Sequence, residues 1–298
     1  MEIQKFFKDR GLLLGYKIAN AIAEVIPFEL GSKIGVFGGS LAYLANPKRR
    51  LVVRNNLAPV VGTQGVYLEA FVARSFVSYA QYWFESFKMG TASRSMILSH
   101  GRSEGMESLY EAIAQGRGAI VVAPHLGNWD FGAAWFDTDR IGVNAVVEGL
   151  EPQELYEWFL ELRTRFGVKP IRHDDNPMPK IVAALRANEV VAIVADRSLD
   201  ASSVEVDFFS RKISMPLGPA IMALRTGAPL LPTAVFMEAN GGHCMRMLPE
   251  IKVGERTNLR SDAKRLTQEI AYAFETLISQ APEQWHVFQP LFDNSNLK

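Results

Sequence analysis

The chain has 298 residues, of which 48% are hydrophobic and 21% are charged, and its 32 basic side chains balance its 32 acidic ones. This composition is typical of an ordered globular protein with a large core, and it excludes extended disorder. A neutral balance gives no sign of a nucleic-acid-binding protein, so we predict no nucleic-acid partner. The single cysteine, Cys244, excludes an intramolecular disulfide and suits a reducing cytoplasm.

The first sixty residues are apolar and basic, with nine Lys and Arg side chains against four Asp and Glu. They contain neither a signal-peptide cleavage site nor about 18 uninterrupted apolar residues, so we predict no transmembrane helix. Instead, residues 1–60 predict a helical portion that docks on a membrane. Its apolar anchors would be Phe6, Phe7, Leu12, Leu13 and Leu14, and its lipid-phosphate contacts Lys5, Lys8 and Arg10. The alternative is a pair of amphipathic helices packed on the domain.

A further helix is predicted over Tyr67–Met89, where apolar residues recur at helical spacing. It is strongly aromatic, with Phe76, Tyr79, Tyr82, Trp83, Phe84 and Phe87. Such a stripe either packs in the core or forms one wall of a channel for an acyl chain.

From Gly116 onward the pattern changes to one of strands alternating with helices. Continuous apolar runs bounded by glycine and proline predict buried strands at Ala119–Ala123, Val190–Asp196 and Pro229–Phe236. Helical patterns cover Gln153–Phe166, Met178–Ala187, Gly218–Thr226 and Leu259–Ser279, the last with its N-cap at Asn258 or Ser261. This alternation predicts an α/β fold in one domain, residues 1–298, with a central β-sheet flanked by helices.

The segment HLGNWD, residues 125–130, carries the chemistry. His125 follows directly on the first strand, and ligands of open α/β sheets bind at the carboxyl ends of strands. Gly127 and Asn128 predict a turn and a helix cap, through which His125 and Asp130 can meet. An imidazole can take the proton of a hydroxyl that attacks a thioester, while a carboxylate on the other ring nitrogen fixes the tautomer. The alternative is a structural histidine followed by a capping aspartate.

HLGNWD resembles the H-x4-D/E motif of the glycerolipid acyltransferase superfamily. More specifically, the chain is similar to the bacterial family that contains lipid A late acyltransferases and phosphatidylinositol mannoside acyltransferases. The resemblance extends over nearly the whole chain, through KRRLVVRNNL (48–57), VEGLEPQELYEWFLELRTRFG (147–167), VADRSLDASSVEVDFFSRKISMPLGPAIMALRTGAPLLP (194–232) and PEQWHVFQP (282–290). The ADR…VEVDFF…MPLGP block and the PEQWHVFQP ending look closer to the mannoside branch.

The resemblance implies roles for individual residues. His125 would be the general base, Asp130 its partner and Glu205 an acidic residue of the active site. The substrate-binding residues would be Arg163, Glu148, Asp196, Arg197, His286 and Asn128. Asp196 and Arg197 either pair with each other or meet the substrate. Arg163 and Glu205 are alternatively solvent-facing, and His286 alternatively only packs. His100, His173 and His243 lie in polar contexts and are predicted to be surface residues.

The reaction implied is direct transfer of a long-chain acyl group from acyl-CoA to a mannose hydroxyl of phosphatidylinositol mannoside. No cofactor is expected, and no metal, since no His, Cys, Asp and Glu residues have metal-ligand spacing. The location implied is peripheral, on the cytoplasmic face of the plasma membrane. A lipid A type acyltransferase and a catalytically silent lipid-binding protein are the alternatives. Seven cations are available for the CoA phosphates: Arg163, Arg165, Lys169, Arg172, Arg197, Arg211 and Lys212.

Overall fold

The computed structural model describes residues 2–173, 175–198, 203–254 and 256–292, with the side chains of residues 2–9, Glu29 and Ser32 left out. Five helices come first along the chain: α1 (Glu2–Val25), α2 (Phe28–Ala45), α3 (Pro47–Val61), α4 (Gly65–Met89) and α5 (Arg94–His100). The helical interpretation of the N-terminal part is therefore confirmed. The predicted interfacial side chains of Phe6, Phe7, Lys5 and Lys8 lie outside the described side chains.

The remaining chain alternates strands and helices, as the apolar runs predicted. Its strands are β1 (Gly101–Glu104), β2 (Ala119–Ala123), β3 (Val143–Val147), β4 (Val168–Arg172), β5 (Val190–Val194), β6 (Ser203–Phe208), β7 (Arg211–Pro216), β8 (Leu230–Met237) and β9 (His243–Met247). Its helices are α6 (Glu107–Ala114), α7 (Trp129–Thr138), α8 (Gln153–Thr164), α9 (Pro177–Arg186), α10 (Gly218–Thr226) and α11 (Leu259–Ile278).

Among the described residues, seven strands form one central sheet in the order β1-β9-β8-β2-β5-β3-β4. All neighbours are parallel except β8 and β9, which are antiparallel. β2 lies at the centre, and Ile120 and Val122 are fully buried in it because helices cover both faces of the sheet. β6 and β7 form a separate hairpin. The mixed α/β prediction is confirmed, and Asn258 is the N-cap of α11, accepting from the backbone of Arg260 and Ser261.

Because β2 and β5 are paired neighbours, the residues that follow them meet at one edge of the sheet. The register places Ala123 opposite Val194, and the amide of Ala195 donates to the carbonyl of Ala123 at 2.9 Å. The predicted strand Val190–Asp196 ends at Val194, so Asp196 lies just beyond it, next to His125. This edge is where the candidate site forms.

Helix α2 packs on α4 through three glycines spaced four residues apart. A Cβ built on Gly39 would lie 2.5 Å from the Cα of Val77. Side chains on Gly31 and Gly35 would overlap Phe84 and Gln81. Gly38, one position away, has open space around it. The glycines therefore bring the two backbones close and orient α2.

This packing leaves much of α1 and α2 uncovered. Exposed apolar side chains on α1 are Leu12, Leu14, Ile18, Ile22 and Val25, and those on α2 are Leu30, Ile34, Val36, Phe37, Leu41 and Leu44. Most of them recur every three or four residues, which places them on one side of each helix. Within the described part of the chain, no helix is long and apolar enough to span a membrane.

Candidate active site

The turn between β2 and α7 is fixed by its backbone. Gly127 has φ +64°, and a Cβ there would run into the carbonyl oxygen of Val235, so only glycine fits. The amide of Gly127 donates to the carbonyl of Gln284 at 2.9 Å, and that of Asn128 donates to Val235 at 2.8 Å. The turn is thus held against β8 and the segment after α11.

His125 is paired with Asp196. Its Nδ1 lies 2.5 Å from Asp196 Oδ1, and its backbone amide donates to Asp196 Oδ2 at 2.9 Å. The indole Nε1 of Trp285 donates to the same Oδ2 at 2.8 Å. Burial raises the pKa of Asp196, but the charge of His125 and these hydrogen bonds outweigh it and hold that pKa below its ordinary value. Asp196 is therefore an ionised carboxylate that binds Nδ1 of His125, and Nε2 makes no hydrogen bond with the described residues.

The predicted partnership of His125 with Asp130 is wrong. Asp130 is buried, and its carboxylate accepts from Arg163 Nε at 2.9 Å and from the hydroxyl of Tyr82 at 3.0 Å. Burial lowers the pKa of Arg163, but the negative charge of Asp130 more than reverses this and keeps the guanidinium protonated. The first turn of α7 directs Asp130 toward α4 and α8, and Trp129 lies edge-on to the His125 ring at 5.5 Å.

His286 lies behind His125. Its backbone amide donates to the carbonyl of His125 at 2.7 Å, and its Nε2 is 2.8 Å from Ser78 Oγ. Burial, with a smaller contribution from the charge of His125, lowers the pKa of His286 to about 3, so its ring is neutral at physiological pH. Its ring lies 5.6 Å from that of Tyr82 and is almost completely buried. The structure therefore gives His286 a contact that supports the backbone of His125, in place of the predicted contact with the substrate.

Asn128 is also structural rather than exposed to substrate. It is completely buried, and its Oδ1 caps α7 by accepting from the amide of Phe131 at 2.9 Å. Its Nδ2 donates to Glu85 Oε2 at 2.6 Å. The cap prediction for this residue is confirmed, whereas its assignment to substrate binding is corrected because both polar ends are already engaged.

Two predicted substrate-binding residues form an ion pair beside His125. Arg197 follows Asp196, and its Nη2 lies 2.5 Å from Oε2 of Glu148, which follows β3. Its Nη1 donates to Gln289 at 3.1 Å. The first alternative, that Asp196 and Arg197 pair with each other, is wrong because each has a different partner. Their contact with the substrate stays a prediction.

Glu205 lies on the exposed side of β6, opposite Ser214. Within the described residues it makes no hydrogen bond or ion pair with His125, Asp130 or Arg163. Its catalytic role stays a prediction.

The prediction that His243 is a surface residue is wrong, because its side chain is 1% exposed.

The seven cations considered for CoA phosphates are mostly engaged elsewhere. Five of them pair with carboxylates: Arg163 with Asp130, Arg165 with Glu161, Lys169 with Glu189, Arg197 with Glu148 and Lys212 with Asp207. Arg172 and Arg211 lie over the rings of Tyr156 and Phe292. Across the described ranges, no three His, Cys, Asp or Glu side chains are placed to hold a metal ion.

The pairing of Asp196 with His125 and the supporting contacts of Tyr82, Ser78 and Trp285 are not among the predictions from the sequence. Asp196 is 71 residues from His125, and their contact depends on the pairing of β2 with β5. The available signal was an acidic residue directly after a buried strand, at the same sheet edge as His125.

A histidine with a buried carboxylate partner at the carboxyl edge of a parallel sheet is an arrangement found in enzymes that use general base catalysis. Residues 10–294 match the family described as bacterial lipid A biosynthesis acyltransferase, and the chain belongs to this acyltransferase family.

Named relatives fall in two groups. A phosphatidylinositol mannoside acyltransferase of Mycolicibacterium smegmatis is 32% identical over 286 residues, which cover 95% of this chain and 90% of the relative. One from Mycobacterium tuberculosis is 34% identical over 80% of this chain and 75% of its own length. A lipid A biosynthesis acyltransferase of Haemophilus influenzae is 24% identical over 92% of this chain and 85% of the relative.

Proposed function

We propose that the protein transfers a long-chain acyl group from acyl-CoA to a mannose hydroxyl of phosphatidylinositol mannoside. His125 is the general base in this proposal, and Asp196 orients and stabilises it. The observation that carries the proposal is the buried carboxylate on Nδ1 of His125, which leaves Nε2 for the acceptor. The choice of acceptor is supported by identities of 32% and 34% to mannoside acyltransferases, against 24% to a lipid A acyltransferase.

The proposed reaction is one direct transfer. The acceptor hydroxyl gives its proton to Nε2 of His125 as its oxygen bonds to the thioester carbonyl carbon. The tetrahedral intermediate then collapses, the carbon–sulfur bond breaks, and the proton on Nε2 passes to the departing thiolate. Asp196 stabilises the imidazolium between these steps. General base catalysis of this kind increases the reaction rate by about 10²–10⁴-fold.

The Arg197–Glu148 pair is proposed to bind the acceptor sugar. It stands beside His125 with the Glu148 side chain 42% exposed, so its charged groups can form hydrogen bonds with hydroxyls. Glu205 is retained in this proposal as a further acidic residue near the acceptor, on the strength of the family resemblance alone.

Membrane docking through α1 and α2 belongs to the same proposal. The exposed apolar side chains of the two helices would enter the lipid interface, and the exposed Lys17, Lys33, Lys48 and Arg49 would meet anionic headgroups. Such docking places the protein peripherally on the cytoplasmic face of the plasma membrane, where a lipid acceptor and a soluble thioester can reach one site.

The test is an acyl-transfer assay with radiolabelled palmitoyl-CoA and purified phosphatidylinositol dimannoside, run beside a lipid A precursor. Labelled mannoside that is lost in His125→Ala and in Asp196→Asn, but kept in the exposed control Asp175→Asn, supports the proposal. Label only in the lipid A precursor assigns the other acceptor. No transfer to either lipid by folded protein in detergent favours a silent lipid-binding protein.

A further inference from the structure

A buried carboxylate on α4 connects two distant parts of the chain. Glu85 Oε2 accepts from Asn128 Nδ2 at 2.6 Å and lies 2.9 Å from His243 Nε2. Asn128 belongs to the turn after β2, whereas His243 opens β9. The side chain of Glu85 is 13% exposed and lines a cavity of about 480 Å³, whereas Asn128 and His243 are almost completely buried.

The cluster closes on itself around the first turn of α7. The ring of His243 stacks on that of Phe131 with centroids 3.9 Å apart and planes 12° apart. The amide of Phe131 in turn donates to Asn128 Oδ1 at 2.9 Å. We call these four residues, Asn128, Glu85, His243 and Phe131, the α7 clamp.

The hydrogen-bond roles in the clamp are defined by its partners. Glu85 accepts from Asn128, and Nδ1 of His243 is buried without a partner among the described residues. If the ring hydrogen of His243 is on Nε2, that N–H donates to Glu85 and the buried Nδ1 carries only an unpaired lone pair. A buried N–H without a partner would be the costlier arrangement. His243 therefore donates to Glu85.

The polar side chains of the α7 clamp, those of Asn128, Glu85 and His243, are not needed for hydrophobic packing. Phe131, Ala134 and Phe136 already bury the inner side of α7. Replacing a buried polar cluster by apolar groups of similar volume is often neutral or stabilising, so a gain in stability does not account for the clamp. What this cluster orients is the turn that carries Trp129 and Asp130.

We propose that Glu85 and His243 are positioning residues for acyl transfer. Through the α7 clamp they fix the first turn of α7, and thereby place Trp129 against His125 and Asp130 against Arg163. This inference rests on the proposed function. A misplacement of about 1 Å in an active site lowers turnover by about 10²-fold, so a clamp distant from the reacting atoms has kinetic consequences.

The test compares four variants with the wild type. Glu85→Leu removes the acceptor, Glu85→Gln restores an acceptor oxygen, and His243→Phe keeps the stacking on Phe131 but loses the donor. Glu283→Leu is the matched control, because Glu283 lines the same cavity of about 480 Å³ as Glu85 but lies outside the clamp. Two readouts are taken: hydrogen exchange of the peptide spanning residues 126–133, and kcat and KM of transfer.

We expect faster exchange in that peptide and a kcat lower by about 10–100-fold with KM within about twofold for Glu85→Leu and His243→Phe. Glu85→Gln should recover most of both, and Glu283→Leu should match the wild type. Unchanged kcat in folded His243→Phe, or faster exchange without a kcat loss, overturns the proposal. If the wild type itself transfers no acyl group, the proposed function fails, whereas unchanged exchange refutes the clamp separately.

Discussion

Two buried carboxylates near His125 have different partners, and exchanging each for its amide separates their roles. Asparagine at position 196 would offer an N–H to Nδ1 and favour the tautomer that has no free lone pair on Nε2. We expect Asp196→Asn to lower kcat by about 10²–10⁴-fold. Asp130→Asn keeps the Tyr82 contact and weakens only the pairing with Arg163. We therefore expect it to leave the pH dependence of kcat in place.

The measurement is kcat against pH for both variants. An acidic limb that disappears in Asp130→Asn and survives in Asp196→Asn would contradict the assignment of the His125 partner.

His286 makes stability depend on pH. Its pKa is about 3 in the folded chain, and an unfolded histidine has a pKa of about 6.5. Below about pH 6.5 the imidazole of His286 is protonated in the unfolded chain but stays neutral in the folded chain. The contribution of His286 to the free energy of unfolding is therefore fully present at neutral pH and declines as the pH falls toward 3. Between pH 7 and pH 5 the loss amounts to about 2 kcal/mol.

Urea unfolding at the two pH values measures this. His286→Gln should remove about 2 kcal/mol of the pH-dependent difference. An identical pH dependence in the variant would show that folding does not lower the pKa of His286.

At the scale of elements, the packing of α2 on α4 gives a prediction with a neighbouring control. Gly38→Ala points into open space and should stabilise the helix by up to about 1 kcal/mol, since alanine is the better helix former. Gly39→Ala puts a Cβ 2.5 Å from the Val77 Cα and should separate the helices, with a loss of about 1–3 kcal/mol. Urea unfolding of both variants tests this, and equal effects would disprove the close contact.

Elements with a strong periodic pattern were predictable and short mixed ones were not. The bounds of β2 and α10 match the predicted ones because both have clear apolar runs and glycine or proline at their ends. β4 and β9 read VKPIR and HCMRM, in which charged residues and a proline hide the strand. The place of His125 directly after a central strand was predictable from the sequence, but its carboxylate partner was not, because strand order is a tertiary property. The catalytic role of His125 stays a prediction.

At the scale of the whole molecule, α1 and α2 predict how the protein meets lipid. Because apolar and basic side chains act together, binding to vesicles containing anionic phosphatidylinositol should weaken but persist at high salt. Phe37, 74% exposed on α2, is the sharpest probe. Phe37→Glu should lower sedimentation with vesicles several-fold, whereas Lys264→Glu on α11, far along the chain, should have little effect. Equal binding by all three proteins would contradict docking through α2.

The prediction of a single domain over residues 1–298 stays a prediction.

The contacts of His125 with the segment after α11 have a consequence for synthesis on the ribosome. Trp285 binds Asp196, His286 binds the His125 backbone, and Gln284 binds Gly127. A nascent chain that stops short of Pro282 already contains the imidazole and its carboxylate but lacks these three contacts. Products that end before Pro282 are therefore expected to be inactive, because they lack the contacts that residues 284–286 make with the candidate site.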